Sequence, residues 1–224
     1  MRTRLLIWVT SDCNLKCKWC SQRYTMDQHP GYHMSIREIA AIVQSCIVRD
    51  LHFDTIELTG GEPSIWKNLE VGVQLFERIC DEVTLVTNGN DPDRIIGLNL
   101  KRWIVSSSQA TREQCKKYIP VRTKVWFNNH EHKPMPQVAF PDSLPASCCV
   151  YYDPFTGEPQ INLLYLNGKV WFCCNAFALT EKAGVTDDLW CDFEEDFIGK
   201  LSARDYNKKI CAYCLCNGKI WERL

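Results

Sequence analysis

The sequence predicts an α/β chain: a partial (β/α)6 barrel over residues 1–142, then a small cysteine-rich α+β annex over 143–224 containing a β-hairpin. Three observations predict it. Short β-type runs alternate with segments of helical period through the first part of the chain. Pro134, Pro136, Pro141 and Pro145 then break that rhythm. Finally, cysteine supplies 14 of the 224 residues, and most of them gather near the start or after the proline-rich break.

The elements follow in order. Leu5–Thr10 is a first strand. Ser35–Val48 reads as a helix, with apolar residues at 36, 39, 40, 43 and 47 and a capping box formed by Ser35 and Glu38. Thr55–Thr59 is the second strand. Residues 68–80 repeat the helical pattern, which places Cys80 on a helix. Val83–Thr87, Trp103–Ser106 and Lys124–Phe127 complete the run of strands. Strand–helix alternation argues for a parallel sheet, and right-handed crossovers curl it toward an open barrel. In the annex, Ile161–Leu166 and Lys169–Phe172 flank Asn167-Gly168, a strong hairpin signal.

Composition narrows the function. Hydrophobic residues make up 46% and charged residues 24%, so a packed core forms and global disorder is excluded. Charge is balanced, 26 Lys+Arg against 27 Asp+Glu, which argues against a globally basic nucleic-acid binder. The asymmetry is local: Lys101 to Lys133 holds eight basic residues and two acidic ones, interleaved with Trp103, Tyr118, Trp126 and Phe127. Met1-Arg2-Thr3-Arg4 leads into only five apolar residues, Leu5 to Val9, too few for a secretory core segment. A cytoplasmic protein with no membrane span is expected, as a monomer or weak dimer.

The chemistry is carried by Cys13-x3-Cys17-x2-Cys20, a loop straight after the first strand. A disulfide framework fits poorly with three cysteines so close together and with a reducing compartment. Thiolate-bound iron–sulfur or zinc explains them better. Three thiolates on a four-iron cube leave one iron open to a small molecule. The second strand ends in Thr59-Gly60-Gly61-Glu62-Pro63, where two glycines allow close backbone approach and a carboxylate can accept from an ammonium group.

A CxxxCxxC loop after the first strand, with GGEP closing the second, resembles the radical S-adenosylmethionine (radical SAM) superfamily, whose fold is a partial TIM-like barrel. The resemblance implies that Cys13, Cys17 and Cys20 hold a [4Fe–4S] cluster and that S-adenosylmethionine (SAM) chelates its open iron. Reductive cleavage of SAM would give a 5′-deoxyadenosyl radical that abstracts a hydrogen atom from substrate. It implies that Trp19 lies near the adenine and that Gly60, Gly61, Glu62 and Pro63 orient the methionine part. Asn88, Ser106, Ser108 and Asn128, at later strand ends, are implied as further SAM contacts. A reductant such as flavodoxin or ferredoxin is the implied partner.

The annex resembles the shortened SPASM domain called twitch, which holds an auxiliary [4Fe–4S] cluster. The implied ligands are Cys149, Cys173, Cys211 and Cys214, with Cys148, Cys174 and Cys216 as neighbours able to substitute. Four thiolates on zinc would give the same pattern. Cys46 and Cys80 read as small core residues.

The basic, aromatic stretch at 101–133 suits an anionic small molecule or a nucleic acid. The expected activity is therefore radical modification of a nucleotide, a nucleic-acid base or a small polar metabolite, by oxidation, rearrangement or isomerisation. A peptide-modifying enzyme is one alternative. A non-catalytic zinc or iron–sulfur binding module is another, of a different class.

Overall fold

The computed structural model describes residues 2–16, 20, 22–106, 124–128, 150–152, 159–171, 177 and 190–202. The chain divides into two compact units, Arg4–Glu131 and Met1–Thr3 with His132–Leu224.

In the first unit, β1 (Arg2–Thr10), β2 (Phe53–Gly60), β3 (Cys80–Thr87), β4 (Arg102–Ser106) and β5 (Lys124–Asn128) run parallel in the order β5-β4-β3-β2-β1. Sequential strands lying side by side, joined by crossovers, are the arrangement of an opened (β/α) barrel. All five C-terminal ends therefore lie along one edge. The described helices here are α1 (Arg23–Gln28), α2 (Ile36–Val48) and α3 (Leu69–Phe76).

Residues alternate between the two faces of each strand. One set is apolar through the middle of the sheet: Leu5, Ile7 and Val9 with Ile56, Leu58, Val83, Leu85, Trp103 and Val105, all buried. The other carries charge. Arg4 pairs with Glu57 and Arg102 with Glu82, which also accepts from Thr55 Oγ1 at 3.2 Å. Buried charges persist only when paired in this way.

Helix α2 starts as its sequence requires. Ser35 Oγ accepts from Glu38 N–H at 3.2 Å, and the Glu38 carboxylate accepts from Ser35 N–H at 2.8 Å. Its apolar stripe, Ile39, Ile42, Val43 and Cys46, is buried.

Helix α3 is shorter than the sequence pattern predicts. It stops at Phe76, and Cys80 opens β3 rather than closing a helix. Phe53 draws this segment into the ladder, since its N–H donates to the Ile79 carbonyl at 3.0 Å and it pairs with Cys80. Three residues are left for the turn. Cys80 is still a core residue, and burial pushes its thiol up to about 12, so it is an unreactive thiol. Within α3, Gly72 leaves room for the fully buried Trp66; a Cβ there would stand 2.6 Å from the indole ring.

In the second unit, β6 (Val150–Tyr152), β7 (Pro159–Leu166), β8 (Lys169–Trp171) and β9 (Trp190–Asp192) pair antiparallel in that order. Leu166 faces Lys169 across a two-residue turn, with Asn167 at φ 51° and Gly168 at φ 79°. Positive φ at both centres is the type I′ geometry that Asn-Gly favours. Phe193 stacks edge-on against Tyr165 at 5.3 Å and lies 5.5 Å from Phe197, the first residue of α4 (Phe197–Ser202).

Candidate active site

The C-terminal ends of β1, β2 and β3 meet in one polar knot. Beyond Thr10 the chain turns into the cysteine loop. Beyond Gly60 it turns through Gly61 and Glu62 into a 3-10 turn, Pro63–Ile65. These two turns are stitched by backbone bonds: Gly61 N–H to the Thr10 carbonyl and Glu62 N–H to the Asp12 carbonyl, both 2.7 Å.

The two glycines make that stitch sterically feasible. Gly60 has φ +134°, and a Cβ on it would collide with the Thr10 carbonyl oxygen. A Cβ on Gly61 would collide with the Asp12 carbonyl oxygen and stand 2.6 Å from its carbon and 2.9 Å from the Ser11 carbonyl carbon. The space that the glycines leave open is filled by the chain's own cysteine loop.

Glu62 is 1% exposed, and among the described residues its carboxylate accepts three bonds. Ser64 N–H reaches Oε1 at 3.0 Å, Thr87 Oγ1–H reaches the same oxygen at 2.6 Å, and Asn88 N–H reaches Oε2 at 2.6 Å. Glu62 thus welds the end of β2 to the end of β3.

The cysteine loop is also held from its outer side. Ser11 N–H donates to the Tyr32 carbonyl at 2.9 Å, and Met34 N–H donates to the Val9 carbonyl at 2.8 Å. His33 Nδ1 lies 3.0 Å from Thr10 Oγ1, and its Nε2 lies 2.8 Å from the Asp12 carboxylate. No ligand spacing in the sequence flags His33, because its partners are set by this antiparallel bridge between Thr10 and His33.

Cys13 and Cys20 are both half-buried. Leu15 N–H donates to Cys13 Sγ at 3.4 Å. An open cleft of about 530 Å³ lies against Cys13, with Asp12, Asn14, Arg23, Asp27 and Ile65 on its walls. Its size is that of a small-molecule site. Half-buried thiols, a sulfur-directed N–H and an adjoining cleft together fit a cysteine-held cluster.

Of the other residues singled out from sequence, Ser106 and Asn128 end β4 and β5 and face each other in register. Asn88 lies beside Glu62, with its side chain turned to protein partners. Cys17, Trp19, Ser108, Cys149, Cys173, Cys211 and Cys214 lie outside the described residues. Asn14 was not flagged by the sequence; a polar residue inside a cysteine spacer carries no signal of its own.

Parallel strands with a cysteine loop after the first and a Gly-Gly-Glu turn after the second define a class of iron–sulfur enzyme. The comparisons agree: residues 7–129 match the model of the Radical SAM superfamily, and the chain belongs to that family. Such enzymes use a [4Fe–4S] cluster and SAM. Among curated proteins, the chain is 37% identical over 91 residues to GTP 3′,8-cyclase of Desulforamulus reducens, covering 38% of this chain and 26% of that protein. It is 32% identical over 117 residues to the probable GTP 3′,8-cyclase of Methanococcus maripaludis, covering 49% and 37%. The matched part thus spans about a quarter to a third of those relatives. The fold resembles that of BtrN, solved in complex with AdoMet and 2-DOIA, at a TM-score of 0.58 and 17% identity over 99% of this chain and 90% of that one. The expected partial-barrel fold and the enzyme class are thereby established. No helix among the described residues is long and apolar enough to cross a membrane.

Proposed function

We propose that this radical SAM enzyme modifies a nucleotide or a closely similar anionic small molecule. Cys13, Cys17 and Cys20 hold the cluster, and Gly60 to Pro63 frame the methionine part of SAM. Trp19, Ser106, Ser108 and Asn128 complete the SAM site from neighbouring strand ends. The bound cluster and SAM supply one-electron cleavage of a sulfonium and hydrogen-atom abstraction from substrate.

The chain's own residues set the geometry. The Leu15 amide donates to the Cys13 sulfur. Glu62, held in place by Ser64, Thr87 and Asn88, sets a carboxylate at the junction of the two turns, suited to an ammonium group. The stitch between the glycine turn and the cysteine loop fixes the two halves of the site against each other. That stitch is the observation that carries the reading, since it joins two motifs far apart in sequence at one sheet edge.

Residues 143–224 form a twitch-like annex in this proposal, with Cys149, Cys173, Cys211 and Cys214 on a second [4Fe–4S] cluster. A small electron-transfer protein of the flavodoxin or ferredoxin type is the reductant. Two features support a nucleotide substrate: the similarity to cyclases named for GTP, and the seven basic residues of the Lys101–Lys133 stretch other than Arg102, which is buried and paired with Glu82. Phosphate groups are the natural partners of such a stretch.

The test is anaerobic turnover with SAM and dithionite in the presence of nucleoside triphosphates, neutral polyols and short peptides in turn. Nucleotides are expected to raise 5′-deoxyadenosine formation about tenfold above the SAM-only rate, with the other two classes inert. Stimulation by a polyol or a peptide, with nucleotides silent, would overturn the substrate class.

A further inference from the structure

We infer that Asn88 is a positioning residue for the cluster: it clasps Asn14, inside the Cys13-x3-Cys17 spacer, and so holds that spacer in its ligating shape. This rests on the reading of Cys13 as a cluster ligand. Asn88 Nδ2 donates to Asn14 Oδ1 at 2.7 Å, across 74 residues of sequence.

The remaining groups of Asn88 are fixed independently. Its backbone N–H is held by Glu62 Oε2 at 2.6 Å, and its Oδ1 accepts from Asn90 N–H at 2.9 Å. The bond from Asn90 settles which end of the amide carries the nitrogen. The residue is 8% exposed, so its rotamer is fixed by packing as well as by bonds. What remains is Nδ2, and it points at the cysteine loop.

Asn14 is itself exposed, and nothing in an exposed asparagine side chain dictates its direction. The clasp supplies that direction. It acts one residue from Cys13, whose sulfur accepts from Leu15 N–H at 3.4 Å. The chain of contacts therefore runs from the buried Glu62 carboxylate, through the end of β3, to the spacer between two cysteines. Partners outside the ligand set commonly change metal affinity by about 10–100-fold. This device would make β3, which contributes no proposed cluster ligand, a determinant of cluster retention.

The experiment is a double-mutant cycle on the anaerobically loaded enzyme: wild type, Asn14→Ala, Asn88→Ala, both together, and Asn14→Asp. Cluster loss to EDTA is followed by the visible iron–sulfur absorbance, and the Michaelis constant for SAM is measured on protein still loaded. Each alanine variant is expected to lose its cluster about tenfold faster. The double variant should be no worse than the worse single one, because one interaction is being removed twice. Loss of the bond from Asn90 accompanies Asn88→Ala with either residue at position 14, so it cancels in the cycle. Asn14→Asp keeps an oxygen facing Nδ2 and should stay within about twofold of wild type. The Michaelis constant for SAM should be unchanged in Asn88→Ala.

Single effects that multiply in the double variant, or Asn14→Asp as damaging as Asn14→Ala, would overturn the clasp. So would a raised Michaelis constant for SAM in Asn88→Ala with unchanged cluster loss. A wild-type chain that takes up no cluster would instead end the reading of Cys13, and the clasp with it.

Discussion

Gly61→Ala is expected to abolish cluster loading and to destabilise the fold by about 3 kcal/mol. The added methyl group would collide with the Asp12 carbonyl oxygen and stand 2.6 Å from its carbon, and both atoms are backbone. Neither can rotate away as a flexible side chain would. Relief requires the turn and the loop to part, which breaks the bonds from Gly61 N–H to Thr10 and from Glu62 N–H to Asp12. Cys13 is the next residue along the displaced loop. Thermal unfolding and iron content of the purified variant check this result. Gly97→Ala is the control, since a Cβ there has nothing within 4 Å, and it should stay within about 0.5 kcal/mol of wild type. Equal behaviour of the two variants would refute the account of the glycine turn.

Glu62→Ala is the second large effect, at about 3 kcal/mol or more, with loss of SAM binding. Truncation removes the acceptor of the Ser64 and Asn88 N–H groups in a site 1% exposed to solvent. Each stranded donor costs roughly 1–3 kcal/mol, and partial relaxation keeps the sum from being simply additive. Glu62→Gln should be milder, at about 1–2 kcal/mol, because one carbonyl oxygen still accepts while the amide nitrogen faces a donor. Denaturant titration of the three proteins orders them wild type, Gln, Ala. A Gln variant as unstable as the Ala variant would show that shape, rather than hydrogen bonding, holds the turn.

These two residues also mark how far the sequence could be read. Gly60, Gly61 and Glu62 stand out in sequence as a group near a ligand, and their position at a strand's end follows from the β-type run before them. What filled the missing side chains was not legible. The backbone of Thr10 to Asp12 lies there because β1 and β2 are paired in a particular register, and register between distant strands is a tertiary fact. The same holds for Asn14 and His33, whose partners are fixed by turns and a bridge that no local pattern encodes.

Other features were legible because their causes are local. The capping box of α2 lies within four residues, and the Asn167-Gly168 turn within two. The end of α3 was not, since helical spacing continues past Phe76 while the ladder to Phe53 claims Cys80 for β3. Tertiary pairing overrode a local period there.

The central claim is that three sulfurs near the start of the chain hold a cluster with one iron left for SAM. Electron paramagnetic resonance of the dithionite-reduced, anaerobically purified enzyme, recorded with and without SAM and compared with Cys17→Ala, tests it most directly. The account predicts a reduced [4Fe–4S] signal that shifts when SAM is added, and a Cys17→Ala protein in which that SAM-sensitive signal is gone. A chain that binds zinc in place of iron, or a cluster signal that SAM leaves unchanged, would contradict it.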